Sequence, residues 1–135
     1  MEFIIYTDGG AKGNPGPAGI GVVIKAKNKK LKTIRTISKY LGILTNNQAE
    51  YYALITALEE AKKLKGSRIT CFLDSELIVK QLTREYKIKD KKLASLFIKV
   101  WNLSQGFKKI NFFYIPREKN KEADWLVNLA LSKHH

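Results

Sequence analysis

Four acidic side chains, Asp8, Glu50, Asp74 and Asp124, stand at positions where the local pattern favours apolar residues. Two carboxylates about 4 Å apart repel each other by roughly 4 kcal/mol at an effective dielectric constant near 20, so a cluster of them holds protons or binds cations. Oxygen ligands select hard cations, and Mg²⁺ keeps water and substrate phosphate oxygens among its ligands. Two such ions about 4 Å apart activate water for an in-line phosphoryl displacement. If these acids meet, they and the basic surface of the chain together predict phosphodiester hydrolysis.

Glu50 is the acid that an ordinary structural role explains least well. It falls on the same helical line as Leu54 and Ala57, in the middle of the stripe that must face the sheet. An acid that serves only the helix dipole faces outward, as Glu59 and Glu60 are placed to do. We therefore expect Glu50 to have a functional role.

The other three acids each have an ordinary explanation. Asp8 could start an Asx turn into Gly9, Asp74 could cap the helix that follows it, and Asp124 lies in a first helical turn, where the dipole favours an acid. Taken singly, these explanations are the more economical. They do not account for four such acids converging, which depends on the fold.

The elements that must position these acids follow from hydrophobic periodicity. Strands are predicted at residues 2–8, 18–26, 31–42, 68–74 and 109–116, a polar turn at 27–30, and helices at 45–66, 75–83, 92–107 and 120–132. This order predicts an α/β fold in which a three-strand antiparallel meander continues into a mixed five-stranded sheet. Strands joined by a helical crossover run parallel, so residues 68–74 should lie beside residues 2–8 with their C-terminal ends adjacent. We expect a single domain over residues 1–135.

The charge balance points to a polyanionic partner. The chain has 25 Lys and Arg against 12 Asp and Glu, a formal net charge of +13. Nucleic acid explains this excess better than a merely solvated surface, and no basic amphipathic helix indicates a membrane. The single cysteine, Cys71, excludes a disulfide framework, and the first strand begins without a signal-peptide pattern. We expect a cytoplasmic protein.

Four segments together are similar to a known family. The segments "YTDGGAKGNPGPAG", "TNNQAEYYALITAL", "FLDSELIVKQL" and "NKEADWLVNLA", in this order, resemble type 1 ribonuclease H over nearly the whole chain. The resemblance implies helices on both faces of the sheet and cleavage of the RNA strand of RNA/DNA hybrids to 5′-phosphate and 3′-hydroxyl ends. It also implies two Mg²⁺ ions, for which Mn²⁺ can substitute. Their ligands would be Asp8, Glu50, Asp74 and Asp124.

The resemblance further implies which residues contact nucleic acid. Backbone near Gly9 and the side chains of Asn14, Asn47 and Gln48 would read ribose 2′-hydroxyls, and Thr45 and Asn46 would touch the DNA strand. The 2′-hydroxyl distinguishes RNA from DNA in a wide, shallow minor groove. An ordinary turn and a helix cap, with Thr45 and Gln48 forming a capping box, explain the same segments structurally, and both roles are compatible.

The chain departs from the family in two segments. The loop "YIPREKNKEAD" lacks the histidine that many relatives have there, and Arg117 or Glu118 are candidates to replace it. The long basic protrusion of some relatives is also missing, which leaves candidates for phosphate contact at Lys87, Lys89, Lys91 and Lys92.

Other features and alternatives follow from the same reasoning. His134 and His135 are given no catalytic role, and Trp101 and Trp125 are predicted to be core residues. Double-stranded RNA and RNA-DNA junctions are alternative substrates, and a non-catalytic nucleic-acid-binding module is the alternative from another class. We expect a monomer.

Overall fold

The computed structural model describes residues 1–28 and 30–133. Its strands are β1 (Glu2–Ala11), β2 (Gly16–Lys27), β3 (Leu31–Leu44), β4 (Arg68–Leu73) and β5 (Lys109–Tyr114), and its helices are α1 (Asn46–Lys63), α2 (Glu76–Leu82), α3 (Lys91–Ser104) and α4 (Lys121–Ser132). A short 3-10 turn, Arg117–Lys119, precedes α4. The predicted order of strands and helices is confirmed. The predicted turn at 27–30 includes Lys29, and Lys29, His134 and His135 lie outside the described residues.

The five strands form one mixed sheet in the order β3-β2-β1-β4-β5. β1 pairs antiparallel with β2, and β2 pairs antiparallel with β3, which is the predicted meander. β4 lies parallel to β1 and β5 lies parallel to β4, because a helical crossover precedes each of them. The predicted fold class is confirmed.

The helices cover both faces of the sheet. Successive residues of a strand point to opposite faces, and Gly9 of β1 faces the backbone of α1 while Gly10 faces Val127 of α4. The main core lies on the α1 side, where apolar side chains of the sheet, α1 and α3 pack together. On the other side, a side chain at Gly21 would collide with the backbone of Ala123, so this glycine lets α4 approach β2 closely.

β1 extends further than predicted. It continues past Asp8 to Ala11, because Gly9, Gly10 and Ala11 pair with the beginning of β2. Its pairing with β4 stops at Thr7 opposite Leu73. The explanation of Asp8 as the start of a turn is therefore wrong: the residue lies inside a strand, at the point where one neighbouring strand ends.

The prediction that Trp101 and Trp125 are core residues is also wrong. Their exposed fractions are 45% and 62%, and the Arg84 guanidinium lies over the Trp101 ring at 4.4 Å. Trp101 comes one position after the buried Val100, and Trp125 comes one position before the buried Leu126. Because neighbouring residues of a helix are rotated by about 100° from each other, each tryptophan faces solvent.

Within the described part of the chain, no helix is long and apolar enough to cross a membrane.

Candidate metal centre and nucleic-acid cleft

Three carboxylates meet at the edge of the sheet where β4 ends. The parallel pairing of β1 with β4 ends at Thr7 opposite Leu73. Asp8 and Asp74 are the next residues of the two segments, so they lie at the same level. α1 crosses this edge and contributes Glu50. One carboxylate oxygen from each of Asp8, Glu50 and Asp74 lies within 4.8 Å of the others. The predicted convergence of these acids is present in the fold.

Asp124 faces the same three acids across an open cleft. A cleft of about 450 Å³ is lined by all four predicted acids together with backbone of β1 and the first turns of α1 and α4. In the described structure Asp124 accepts a hydrogen bond from Arg117 at 3.4 Å and one from the Asn128 amide at 3.5 Å. Asp124 is not among the carboxylates within 4.8 Å of one another, so it lies beside the tight group of three rather than within it.

Gly9 allows Glu50 to enter the site. A side chain at position 9 would collide with the backbone of Ala49 and Glu50, so only glycine lets α1 approach β1 this closely. The Gly9 N–H donates to Glu50 Oε1 at 3.2 Å. The other oxygen, Oε2, is buried without a hydrogen-bond partner among the described residues. A buried carboxylate oxygen without a partner is destabilising unless a cation or proton satisfies it.

Burial makes the protonated forms of these acids more favourable. The pKa of Asp8 is raised to about 7, and burial is the largest cause; hydrogen bonding with Glu50 and the Gly9 N–H lowers this pKa, whereas the charges of Asp74 and Asp124 raise it. Burial raises the pKa of Glu50 well above its ordinary value, and the neighbouring Asp8 raises it further. Protons and divalent cations therefore compete for the same oxygens.

Asn120 hydrogen-bonds to one of the acids and was not identified from the sequence. Its Nδ2 amide donates to the Thr7 carbonyl at 2.8 Å and to Asp74 Oδ2 at 3.1 Å. Burial raises the pKa of Asp74, and this hydrogen bond from Asn120 is the largest influence that lowers it. In the sequence, an asparagine directly before the last helix has the appearance of an ordinary cap.

The residues predicted to contact nucleic acid fall into two groups. Gly9, Asn46 and Asn47 line the cleft. Asn14 Oδ1 accepts from the Asn46 N–H at 3.0 Å, and Asn46 Oδ1 accepts from the Ala11 N–H at 2.8 Å, which ties the β1–β2 loop to the start of α1.

Thr45 and Gln48 form the predicted capping box of α1. The Gln48 N–H donates to Thr45 Oγ1 at 3.1 Å, and the Thr45 N–H donates to Gln48 Oε1 at 2.9 Å. These two side chains therefore hold the helix start in place, and neither lines the cleft.

Of the remaining candidate residues, the fold places one at the carboxylate cleft and the others outside it. Arg117 lines the carboxylate cleft, whereas Glu118 lines a separate cavity of about 190 Å³ with Tyr6 and Lys25. The four candidate phosphate contacts lie outside the cleft and are exposed; they are Lys87, Lys89, Lys91 and Lys92. Of the two candidates for the missing histidine, only Arg117 is at the site.

Comparison with known proteins assigns the fold to a family. Residues 6–130 match the family model described as reverse transcriptase-like. The fold matches the crystal structure of ribonuclease H1 from Halobacterium salinarum with a TM-score of 0.95 and 36% identity, covering 98% of this chain and 99% of that chain. It matches LC11-RNase H1 in complex with an RNA/DNA hybrid with a TM-score of 0.90 and 46% identity, covering 97% of each chain. The chain belongs to the ribonuclease H-like family.

Curated relatives of this ribonuclease H-like chain differ in length. It is 39% identical over 132 residues to a bifunctional protein of Mycobacterium tuberculosis, covering 97% of this chain and 36% of that protein. It is 38% identical over 126 residues to ribonuclease HI of Halobacterium salinarum, covering 93% of this chain and 62% of that protein. The chain thus spans about a third of the length of the mycobacterial relative.

The carboxylates of this ribonuclease H-like chain fit divalent cations. The ligand set consists of hard oxygen atoms, one oxygen of Glu50 is buried without a partner among the described residues, and burial disfavours the charged forms in the absence of a cation. Hard oxygen ligands are those that hard divalent cations take from a protein. A bound cation would also satisfy the unpartnered oxygen and stabilise the charged forms of the acids.

Proposed function

We propose that this chain is a ribonuclease H that hydrolyses the RNA strand of RNA/DNA hybrids, with two Mg²⁺ ions held by Asp8, Glu50, Asp74 and Asp124. The observation that carries the proposal is the group of three carboxylate oxygens within 4.8 Å of one another. When bound, the ions would lower the pKa of an attacking water and stabilise the leaving oxygen. Cleavage would leave 5′-phosphate and 3′-hydroxyl ends, and Mn²⁺ would substitute for Mg²⁺.

The protein's own residues would position the hybrid in the cleft. Gly9 and Gly10 line the cleft, so the RNA strand would lie beside the backbone of β1, and Asn46 and Asn47 present amides at the first turn of α1. Amide groups can donate to or accept from a ribose 2′-hydroxyl, which is the group that distinguishes RNA from DNA. Asn14, Thr45 and Gln48 would support these contacts by holding the loop and the helix start in place.

The basic surface would supply electrostatic attraction to the hybrid. A net charge of +13 on 135 residues favours binding to a phosphate backbone. Lys87, Lys89, Lys91 and Lys92 would contribute phosphate contacts, and Arg117 would act near Asp124 in place of the loop histidine. A single domain, a monomeric state and a cytoplasmic location stay predictions of the sequence.

Broader substrate use is the second candidate function. Only eight residues, 83–90, join α2 to α3, and no helix forms among them, so the long protrusion of some relatives has no counterpart here. A reduced grip on the DNA strand would relax the requirement for a hybrid and admit double-stranded RNA or RNA-DNA junctions.

A cleavage assay on matched end-labelled duplexes tests both candidates. Hybrid, duplex RNA, an RNA-DNA junction and duplex DNA are incubated with the protein, with Mg²⁺ and with EDTA. We expect cleavage of the RNA strand of the hybrid in Mg²⁺ only. Cleavage of duplex RNA at a comparable rate would support the broader activity, and intact hybrid in Mg²⁺ would refute the proposed function.

A further inference from the structure

A buried amide links three of the four chain segments that carry the acids at the end of the sheet. Asn120 is 2% exposed and lies between the 3-10 turn and α4. One bond from its Nδ2 reaches the Thr7 carbonyl at 2.8 Å, immediately before Asp8, and another reaches Asp74 Oδ2 at 3.1 Å. The Asn120 carbonyl also accepts from the Asp124 N–H at 3.1 Å. A single residue thus contacts β1, the end of β4 and the first turn of α4.

Asn120 does not perform the usual task of an asparagine at a helix start. An N-cap asparagine normally accepts, through Oδ1, a hydrogen bond from the backbone N–H two or three residues later. Asn120 makes no such bond, and its Oδ1 is buried without a partner among the described residues. A buried acceptor without a partner is destabilising. The position of this side chain is therefore explained by what its amide donates.

One of the two donated bonds acts directly on a carboxylate of the site, that of Asp74. Among residues 1–28 and 30–133, Asn120 is the only residue whose side chain donates a hydrogen bond to the Asp74 carboxylate. Neighbouring carboxylates repel one another, so without this bond Asp74 would turn away from Asp8 and Glu50. The amide occupies Oδ2 and so restricts the orientation in which the carboxylate faces the cleft.

We propose that Asn120 is a positioning residue that fixes the Asp74 carboxylate, and the approach of β1 to α4, for binding of divalent cations. This inference rests on the proposed function, because it assigns Asn120 a role towards ions that the acids would hold. Residues that hydrogen-bond to metal ligands typically change metal affinity or activity by about 10–100-fold when they are replaced. A cap alone would change stability without changing metal affinity.

The decisive variant is Asn120→Ser. Serine is as good as asparagine at a helix start, so it preserves the capping preference, but it removes both amide donors. Ser38→Ala is the matched control, because it removes a hydrogen bond of 2.6 Å from Ser38 Oγ to the Leu126 carbonyl, which ties the same helix to β3, a strand that carries none of the four acids. Mg²⁺ affinity is measured by calorimetry and by the Mg²⁺-induced rise in melting temperature. Hybrid affinity is measured separately in EDTA.

We expect Asn120→Ser to weaken Mg²⁺ binding by about 10–100-fold while hybrid affinity in EDTA changes by less than about twofold. Ser38→Ala should keep the Mg²⁺ affinity of the unchanged protein even where its melting temperature falls. Asn120→Ala provides a second variant without the donors. The calorimetric titrations and the hybrid-binding measurements are made at 10 °C, so that modest destabilisation does not unfold either protein.

Two results would overturn the inference and leave the proposed function intact. One is an unchanged Mg²⁺ affinity in Asn120→Ser and Asn120→Ala when the unchanged protein binds Mg²⁺ and cuts the hybrid. The other is an equal loss of Mg²⁺ affinity in Ser38→Ala, which would indicate general loosening of α4. If the unchanged protein neither binds Mg²⁺ nor cuts the hybrid, the proposed function fails first and the inference falls with it.

Discussion

The carboxylate cleft and the lysine segment from Lys87 to Lys92 carry opposite charges and are built in opposite ways. The cleft takes its acids from separate elements, buries Asp8 and Glu50, and holds Glu50 through the Gly9 backbone. The lysine segment lies on one continuous stretch, its lysines are exposed, and none of them forms an ion pair with a described residue. Buried acids of this kind need specific partners at defined positions. Exposed lysines need only a nearby phosphate backbone.

Removing one acid should have the largest effect. Asp74→Asn removes a charged ligand but keeps an oxygen that can accept the Asn120 hydrogen bond, so the fold should survive. We expect hybrid cleavage in Mg²⁺ to fall by roughly 10³-fold or more, measured as an initial rate on end-labelled hybrid. Hybrid binding in EDTA should persist.

The control for this variant is Asp90→Asn. Asp90 caps α3 by accepting hydrogen bonds from the N–H groups of Lys92 and Leu93, and asparagine caps equally well. Its activity should stay within about twofold of the unchanged protein. Full activity of Asp74→Asn would refute the assigned site.

The stability of the metal-free protein should fall as pH rises. The pKa of Asp8 is raised to about 7 and that of Glu50 is raised well above its ordinary value, so the folded state binds protons that the unfolded chain releases. This stabilisation is complete below the ordinary carboxyl pKa and is lost as pH rises through the folded-state values. In EDTA, we expect the free energy of unfolding to fall by about 2–4 kcal/mol between pH 5 and pH 8.

Urea titrations at several pH values measure this change. Saturating Mg²⁺ should abolish the fall, because cations replace the protons. Replacing Asp8 and Glu50 together with Asn and Gln should also flatten the profile in EDTA. A metal-free stability that is constant or rises over this range would contradict the electrostatic description of the cleft.

Changing the lysine segment should have a smaller and more general effect. Lys91 and Lys92 open α3, where the helix dipole disfavours positive charge, so replacing both with serine should not destabilise the fold. Hybrid affinity should fall, and the slope of log K against log salt should become shallower by about 0.9 for each phosphate contact that is lost. Fluorescence anisotropy at several salt concentrations measures both quantities.

Lys30 and Lys32 provide the matched pair for this comparison. They are exposed and lie near the β2–β3 hairpin, whose Lys27–Leu31 pairing is at the opposite end of the sheet from Asp8. Their replacement should leave the salt slope nearly unchanged. Equal effects of the two double variants would indicate that net charge, rather than the segment at α3, governs binding.

Replacing Arg117 should have a smaller effect than any of the three preceding changes. Its guanidinium is exposed and contacts Asp124 at 3.4 Å, so Arg117→Ala should slow steady-state turnover by a few-fold without changing the fold. Glu118→Ala, at the neighbouring residue outside the cleft, is its control. Equal rates for Arg117→Ala and the unchanged protein would remove Arg117 as a substitute for the histidine.

Much of the fold was predictable because local patterns agree with it. The periodic apolar stripe predicted α1, and the helical crossovers predicted that β4 runs parallel to β1. The end of β1 was not predictable in the same way. The pairing of Gly9, Gly10 and Ala11 with β2 depends on a distant segment, and this tertiary pairing overrides the turn tendency of glycine.

The site was partly predictable for a related reason. Glu50 conflicts with its apolar surroundings and is therefore visible in the sequence, whereas Asn120 agrees with the pattern expected at a helix start. Its contacts lie 46 and 113 residues away. The prediction for the two tryptophans, Trp101 and Trp125, was wrong because it rested on the apolar residues near them in the sequence. Such neighbours do not specify whether a helical side chain lies on the buried or on the exposed face.

The most direct test of the account is the location of bound ions. Crystals of the protein with Mn²⁺ and a non-cleavable hybrid would give anomalous scattering from the metal alone. We expect two peaks in the cleft, ligated by oxygens of Asp8, Glu50, Asp74 and Asp124, with the RNA strand beside them. The absence of metal at these carboxylates, or ions bound only elsewhere on the protein, would contradict the central claim.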